Sequence, residues 1–333
     1  MVGMMLMTLS IGCTSMLGCS KPTSSSTGSA AASNSESSKS EPVPRVVAIA
    51  YPLQYLTARV GGEAIEVVYP VPQGELASQW KPTREDILAM QRSDLVVANG
   101  PGARFAKWME MTSIPSRKIV NSATKGLSLK DFIEVEDVLY THSHGDLGEH
   151  SHPTNVAYTW LNPEIALKQA EQIGDKLKTR FPQHSDTFEQ NLKRLSQDLE
   201  QLKRAFFEIE QPEEEVNLAV LTINPELKFF TRAAGWDDLH LKWFEPPEGV
   251  AEGGLVGPEF REELLEKLAQ SASRPMVRRN GKLLMLSTYT LPEGLQQLMD
   301  ELDIHVVVIE KMDQAPTAGD YLTVTSGNID QLR

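Results

Sequence analysis

Cysteine is almost absent from this chain of 333 residues: both copies, Cys13 and Cys19, fall within the first twenty positions. The remainder carries no thiol, which excludes a disulfide framework and any cysteine-ligated zinc centre. Basic charge is scarce as well. The chain has 32 Lys and Arg against 45 Asp and Glu, a formal net charge of −13. That balance leaves no basic stripe to neutralise phosphates, so nucleic acid is excluded as a partner. The first eighteen residues are apolar, but short of the ~20 that a comfortable membrane span needs. Gly-x-Ser-x-Gly, P-loop and HExxH motifs are missing, which removes the common signatures of esterases, nucleotide hydrolases and zinc proteases.

What the chain does have is histidine in one place. Four of its seven histidines, His142, His144, His150 and His152, lie within eleven residues, interleaved with Asp146 and Glu149. Imidazoles spaced so closely among carboxylates form a ligand set for a borderline transition metal such as zinc. The competing reading is a solvated polar loop. Spacing alone fixes no geometry, so the expected zinc site is a weak one.

Residues 1–19 form a separate segment that ends Ser15-Met16-Leu17-Gly18-Cys19. It resembles a bacterial lipoprotein signal, in which a small residue precedes the cysteine that is lipidated. Cys13 is a second candidate for that role, and the usual positive n-region is missing, since the first basic residue is Lys21. Residues 20–42 are rich in Ser, Ala and Thr and cannot bury enough apolar surface to fold. A disordered tether carrying an extracytoplasmic protein on a membrane lipid is the expectation.

From residue 43 strands and helices alternate. Buried strands are expected at 45–50, 64–71, 95–98 and 118–120, with helices at 53–60, 82–90 and 105–111 between them. Asn162-Pro163 caps and opens a helix carrying Ile165, Ala166, Ala170, Ile173 and Leu177, which Pro182 interrupts. The next helix places Phe188, Leu192, Leu195, Leu199, Leu202 and Phe206 on one narrow stripe. Alternation then resumes, with strands at 216–223, 239–244, 283–286 and 305–309 and helices at 226–234, 258–270 and 291–302. The fold class is therefore α/β: two βα lobes with parallel-type sheets, joined by a long backbone helix, with a ligand cleft between the lobes at the carboxyl ends of the strands. The boundaries are 43–162 for the first lobe with its His-rich loop at 141–153, 163–210 for the connecting helices, and 211–333 for the second lobe.

Several short motifs fall in order on this frame: Tyr51-Pro52-Leu53, Val71-Pro72-Gln73-Gly74, Trp80-Lys81-Pro82-Thr83, Ser93-Asp94-Leu95-Val96-Val97 with Asn99-Gly100, Trp160-Leu161-Asn162-Pro163, and Phe229-Phe230 with Gly235. Together they resemble the metal-binding family of ABC-transporter solute-binding proteins that serve zinc and manganese importers. The resemblance implies a lipid-anchored, monomeric, non-enzymatic protein that delivers a metal ion to an ABC permease. It also implies that a His-rich loop before the Trp-Leu segment gathers zinc, while the main site takes one side chain from each of four loops. Those four positions fall here on Ser78, Tyr158, Asn224 and Glu310, where the family carries histidines, or a glutamate in the third place, and an aspartate in the last. Glu226, two positions past Asn224, is a further carboxylate. Neutral hydroxyl, phenol and amide oxygens are poor zinc ligands, so the resemblance implies an altered or weakened cleft site.

Two other readings use the same residues. A binding-protein paralogue that has stopped carrying solute and contacts an envelope partner would explain the substituted ligands. Alternatively, His142-Ser143-His144-Gly145-Asp146 resembles part of the strand-end signature of metallo-β-lactamase-fold hydrolases. That signature's final histidine is Leu147 here, and its other ligands would have to come from His184, His240 and His305.

Overall fold

A computed structural model of the chain describes residues 42–100, 108–109, 112–124, 139–143, 149–153, 158–209, 218–223, 225–240, 258–271 and 275–333. The lipoprotein-signal and tether residues, including Cys13 and Cys19, lie outside these, as does most of the helix expected at 105–111.

The first sheet is parallel throughout. It comprises β1 (Arg45–Ala48), β2 (Glu66–Val68), β3 (Leu95–Ala98) and β4 (Ile119–Asn121) in the order β2-β1-β3-β4. Val46 and Val47 pair with Val67 and Val68 on one side and with Leu95 and Val96 on the other. Both valines are essentially inaccessible, as expected for central strands covered on both faces. Between β1 and β2 runs α1 (Tyr51–Gly61), ended by Gly62 at φ 55°, a conformation open to glycine at little strain. Between β2 and β3, α2 (Arg84–Arg92) starts on a reciprocal cap: Asp86 N–H donates to Thr83 Oγ1 at 3.2 Å and Thr83 N–H donates to Asp86 Oδ2 at 2.8 Å.

Two long helices follow. Asn162 caps α3 (Pro163–Arg180), its Oδ1 accepting from the amides of Glu164 and Ile165 at 3.0 and 3.3 Å. Pro182 then breaks the chain into a short turn before α4 (Ser185–Phe207). The 23 residues of α4 make a rod of about 35 Å at ~1.5 Å per residue. Its stripe of Phe188, Leu195, Leu199, Leu202 and Phe206 is buried, and Leu192 packs half-buried along the same line.

The second sheet holds β7 (Ala219–Thr222), β8 (Asp237–His240), β10 (Lys282–Ser287) and β11 (Ile304–Val308), parallel in the order β11-β10-β7-β8. A two-residue strand, β9 (Arg278–Arg279), pairs antiparallel with β10. The helices α5 (Lys228–Ala233), α6 (Pro258–Ser271) and α7 (Glu293–Glu301) intervene. The strand expected at 239–244 begins two residues earlier, because Trp236 enters the core and brings Asp237 to Ala219.

The last element is α8 (Tyr321–Asp330), which the sequence reading does not anticipate. Its run Thr323-Val324-Thr325-Ser326-Gly327-Asn328 has poor helix propensity. Tertiary packing and a strong cap override that: Asp320 Oδ1 accepts from Thr323 N–H at 2.9 Å and Thr323 Oγ1 at 2.8 Å, and Asp320 Oδ2 accepts from Tyr55 O–H at 3.1 Å. Tyr55 in turn accepts from Arg59, which also reaches Asp198 on α4 at 2.5 Å. Burial opposes the charge on Asp320, but the Thr323 and Tyr55 hydrogen bonds and the Arg59 charge outweigh it and hold the carboxyl below its ordinary value. A depressed carboxyl stabilises the fold above its unfolded pKa, and that stabilisation is lost as pH falls, because the unfolded chain takes up the proton first. Thermal melts should therefore show the chain losing more stability between pH 5 and pH 3 than Asp320→Asn, which keeps an N-cap side chain but removes the titration. Equal losses would assign the acid sensitivity elsewhere.

Before α3 the chain forms an antiparallel hairpin of β5 (Leu139–Ser143) and β6 (Glu149–Pro153). This corrects the hydrolase reading. Among the described residues His142 lies in one arm of a two-stranded ribbon, not in a strand of either larger sheet. His184 sits in the turn before α4, edge-on to Phe188 at 6.0 Å. His240 and His305 belong to β8 and β11 of the second sheet.

Candidate metal-binding cleft

Four segments meet around Tyr158. The loop after β2 supplies Ser78, and the segment entering α3 supplies Tyr158 and Trp160. The turn after β7 supplies Glu226. The connection from β11 to α8 supplies Lys311 and Asp313.

The backbone of that last connection explains how two charged side chains arrive together. Met312, fully buried, adopts φ 56°, an uncommon left-handed conformation for a residue with a long side chain. The reversal at Met312 sends Lys311 and Asp313 into the same site. Asp313 is 2% exposed. Its Oδ1 accepts from Ser78 N–H at 2.9 Å, and its Oδ2 accepts from Tyr158 O–H at 3.0 Å and from the Ser78 hydroxyl. Its carbonyl accepts from Ala77 N–H at 2.8 Å. One carboxylate from the second lobe thus fastens the Ser78 loop of the first lobe and the segment leading into α3.

Lys311 lies on the other side of Tyr158. Its Nζ donates to Glu226 Oε2 at 2.7 Å and stands 4.9 Å from the centroid of the Tyr158 ring. Glu226 Oε2 also accepts from Thr288 Oγ1 at 3.3 Å. Burial, followed by the charges of Glu226 and Asp313, pushes the Tyr158 phenol well above its ordinary pKa. Tyr158 is therefore a neutral hydrogen-bond donor, and the phenolate that a metal would need is disfavoured.

A buried polar network holds this segment in place. Thr159 Oγ1 donates to Asn99 Oδ1 at 2.7 Å, and Gln169 Nε2 donates to Asn99 Oδ1 and Ser122 Oγ at 2.9 and 3.0 Å. Trp160, fully buried, donates its indole N–H to the Lys311 carbonyl at 2.9 Å, and its own carbonyl accepts from Tyr321 O–H at 2.6 Å.

Of the four cleft positions named from the sequence, Ser78 and Tyr158 come together. Asn224 lies outside the described residues. Glu310 is exposed, and its Oε1 accepts from the Met312 amide at 2.9 Å, so it turns back on its own loop. The carboxylate that joins Ser78 and Tyr158 is Asp313, three residues on, which the sequence reading does not single out. Nor does it single out Lys311. Among residues with described side chains, no group of three or more His, Cys, Asp or Glu is placed to hold a metal ion. In the hairpin, the register sets His142 opposite His150 and Tyr140 opposite His152. His144 lies outside the described residues.

A family model described as "ZnuA: Zinc-uptake complex component A periplasmic" matches residues 46–333. The manganese ABC transporter substrate-binding lipoprotein PsaA of Streptococcus pneumoniae is 28% identical over 263 residues, 77% of this chain and 74% of its own. The metal ABC transporter substrate-binding lipoprotein FimA of Streptococcus parasanguinis is 28% identical over 223 residues, 65% of each chain. The chain thus spans just under two thirds of FimA. Among solved structures, the Zn(II)-bound ZnuA-like domain of Streptococcus pneumoniae AdcA aligns with a TM-score of 0.65 at 16% identity, covering 87% of this chain and 98% of that one. The Mn2+ complex of FpvC from Pseudomonas aeruginosa aligns at 0.62 and 16%, covering 87% and 96%. These structural likenesses establish a shared fold.

Proposed function

This chain belongs to the ZnuA family of periplasmic zinc-uptake components, and from that premise we propose that it is the extracytoplasmic solute-binding component of an ABC importer for a transition-metal ion. In this reading a lipid on Cys19 tethers it to a membrane, the importer's permease is its partner, and its role is binding without catalysis. Among the described residues no helix is long and apolar enough to cross a membrane.

Zinc is the cargo assigned to the hairpin, through His142, His144, His150 and His152. The single observation that carries this is the register. Cross-strand partners share a face of a ribbon with Cβ atoms about 4.5–5.5 Å apart, and alternate residues along a strand share it too. The pairs His142–His150 and Tyr140–His152 therefore put three histidines on one face. Imidazole nitrogens bind zinc at about 2.0–2.1 Å, and zinc usually takes four ligands, so histidines gathered in one short ribbon suit it by residue type. Of the cleft positions, Ser78 and Tyr158 spend their hydroxyls on Asp313. The hairpin is then the stronger metal-binding feature, with Ser78, Tyr158, Asn224 and Glu310 an altered remainder of the family's cleft set.

The test is a calorimetric titration of the full chain with zinc, beside a version in which His142, His144, His150 and His152 are all alanine. Micromolar binding is expected for the first, about −8 kcal/mol, and at least tenfold weaker binding for the second. Nanomolar binding that survives the four substitutions would return the site to the cleft, and no zinc binding by the intact chain would remove the hairpin from the mechanism.

A further inference from the structure

The cleft already contains a cation. We propose that the Lys311 ammonium is the resident cation of the cleft, filling the space between Glu226 and the face of Tyr158 where a divalent ion would otherwise collect, so that Lys311 excludes divalent metal from the site. The inference rests on the cleft's own geometry and stands whether or not the hairpin binds zinc.

Three observations support it independently. The first is the pairing itself. At 2.7 Å the Lys311–Glu226 contact is a charge-assisted hydrogen bond, and both side chains are 20% exposed. A metal ion approaching Glu226 would have to expel the ammonium from its carboxylate in a mostly dry site. The second is the aromatic face. Tyr158 presents its ring to Nζ at 4.9 Å, within range of a cation–π attraction, while its hydroxyl points away to Asp313. Kept neutral by burial and by the two carboxylates around it, the phenol receives a cation on its face and donates a proton at its edge. The third is the backbone. The left-handed residue Met312, whose amide is held by Glu310, turns the chain so that a lysine and an aspartate two positions apart enter the same site. Lys311 is held at its main chain too, because its carbonyl accepts the Trp160 indole N–H. The ammonium is thus delivered on an anchored backbone.

The charge arithmetic gives the consequence. Without Lys311 the site would hold an unneutralised Glu226 carboxylate beside the Thr288 hydroxyl, with the negative charge of Asp313 at the edge of Tyr158. That is an all-oxygen set of the kind that suits hard divalent ions, manganese above zinc. With Lys311 present, the Glu226 carboxylate is neutralised by an ammonium, while Asp313 is occupied by Ser78 and Tyr158 in either case.

The experiment uses the full chain with the four hairpin histidines changed to alanine, so that hairpin binding cannot contribute. Mn2+ and Zn2+ binding are measured by equilibrium dialysis on this parent, on Lys311→Ala, and on Lys311→Ala combined with Glu226→Gln. Thermal melts with and without each metal confirm that every variant is folded. The expected result is that Lys311→Ala gains one Mn2+ per chain at least tenfold more tightly than the parent, and that Glu226→Gln erases the gain. If Lys311→Ala does not fold, Lys311→Met replaces it, since methionine keeps most of the apolar stem without the charge. A parent that binds Mn2+ or Zn2+ as tightly as the Lys311 variant would overturn the proposal. A folded Lys311 variant that gains nothing would do the same.

Discussion

Replacing Asp313 by alanine is expected to destabilise the chain by about 3–5 kcal/mol, which places the residue among the most sensitive in the molecule. The carboxylate is 2% exposed and receives the Ser78 amide, the Ser78 hydroxyl and the Tyr158 hydroxyl. Alanine leaves all three donors without an acceptor in a site with little access to water, and each orphaned donor costs about 1–3 kcal/mol. Relief from burying the carboxylate itself offsets part of this, which keeps the figure below a simple sum of three. The backbone bond from Ala77 to the Asp313 carbonyl survives, so the loss is local to the side chain. Asp313→Asn keeps one oxygen acceptor but turns an amide NH2 toward the donors, and should lose about half as much. Urea unfolding checks both, as a lower midpoint at unchanged slope. A shift under about 1 kcal/mol for Asp313→Ala would mean that Ser78 and Tyr158 find other acceptors and that Asp313 does not fasten the lobes. A carboxylate committed to three protein donors also has little capacity left for a metal ion.

Asp313 shows where sequence reasoning stops. The alternation of strands and helices is legible, because β-branched runs such as Val46-Val47 and Leu95-Val96-Val97 must be buried on both faces. The start of α3 is legible too, since Asn162-Pro163 has both a side-chain cap and a residue pre-set for a first turn. So is the core stripe of α4, whose spacing permits one buried face. The family pattern points to a carboxylate after the last strand, and two stand there: Glu310 and Asp313. The choice between them is made by φ at Met312, and no local signal announces a left-handed methionine. Lys311 is harder still, because its meaning comes from Glu226, 85 positions earlier in the chain. The final helix is missed for the opposite reason. Its threonines, valine and glycine argue locally against a helix, while Asp320 and the burial of Tyr321, Thr325 and Ile329 hold it. The histidine cluster is plain in the sequence, but the pairing of His142 with His150 is a matter of register, which close spacing cannot supply.

Trp160 joins these parts, and Trp160→Ala should cost about 4–5 kcal/mol, at the upper end for a buried aromatic. The ring is fully buried and meets Tyr158 edge to face at 5.7 Å. Its indole N–H satisfies the Lys311 carbonyl, and its backbone carbonyl takes the Tyr321 hydroxyl. Truncation opens a large cavity and orphans the Lys311 carbonyl at the same time, so transfer and hydrogen-bond losses add. Trp160→Phe separates the two, keeping an aromatic ring but removing the N–H, and about 1–2 kcal/mol should remain as its cost. Because Trp160 holds Lys311 by its backbone while Tyr158 holds the ammonium by its ring, loosening one should loosen the other. A double-mutant cycle of Trp160→Phe with Lys311→Met should therefore show coupling of about 0.5 kcal/mol or more, read from urea midpoints. Zinc binding at the hairpin should be the same in all of these variants that fold. If Trp160→Phe weakened zinc binding as strongly as the loss of the four histidines, cargo and cleft would have to be one site, and the separation between a metal-gathering hairpin and a lysine-filled cleft would fail.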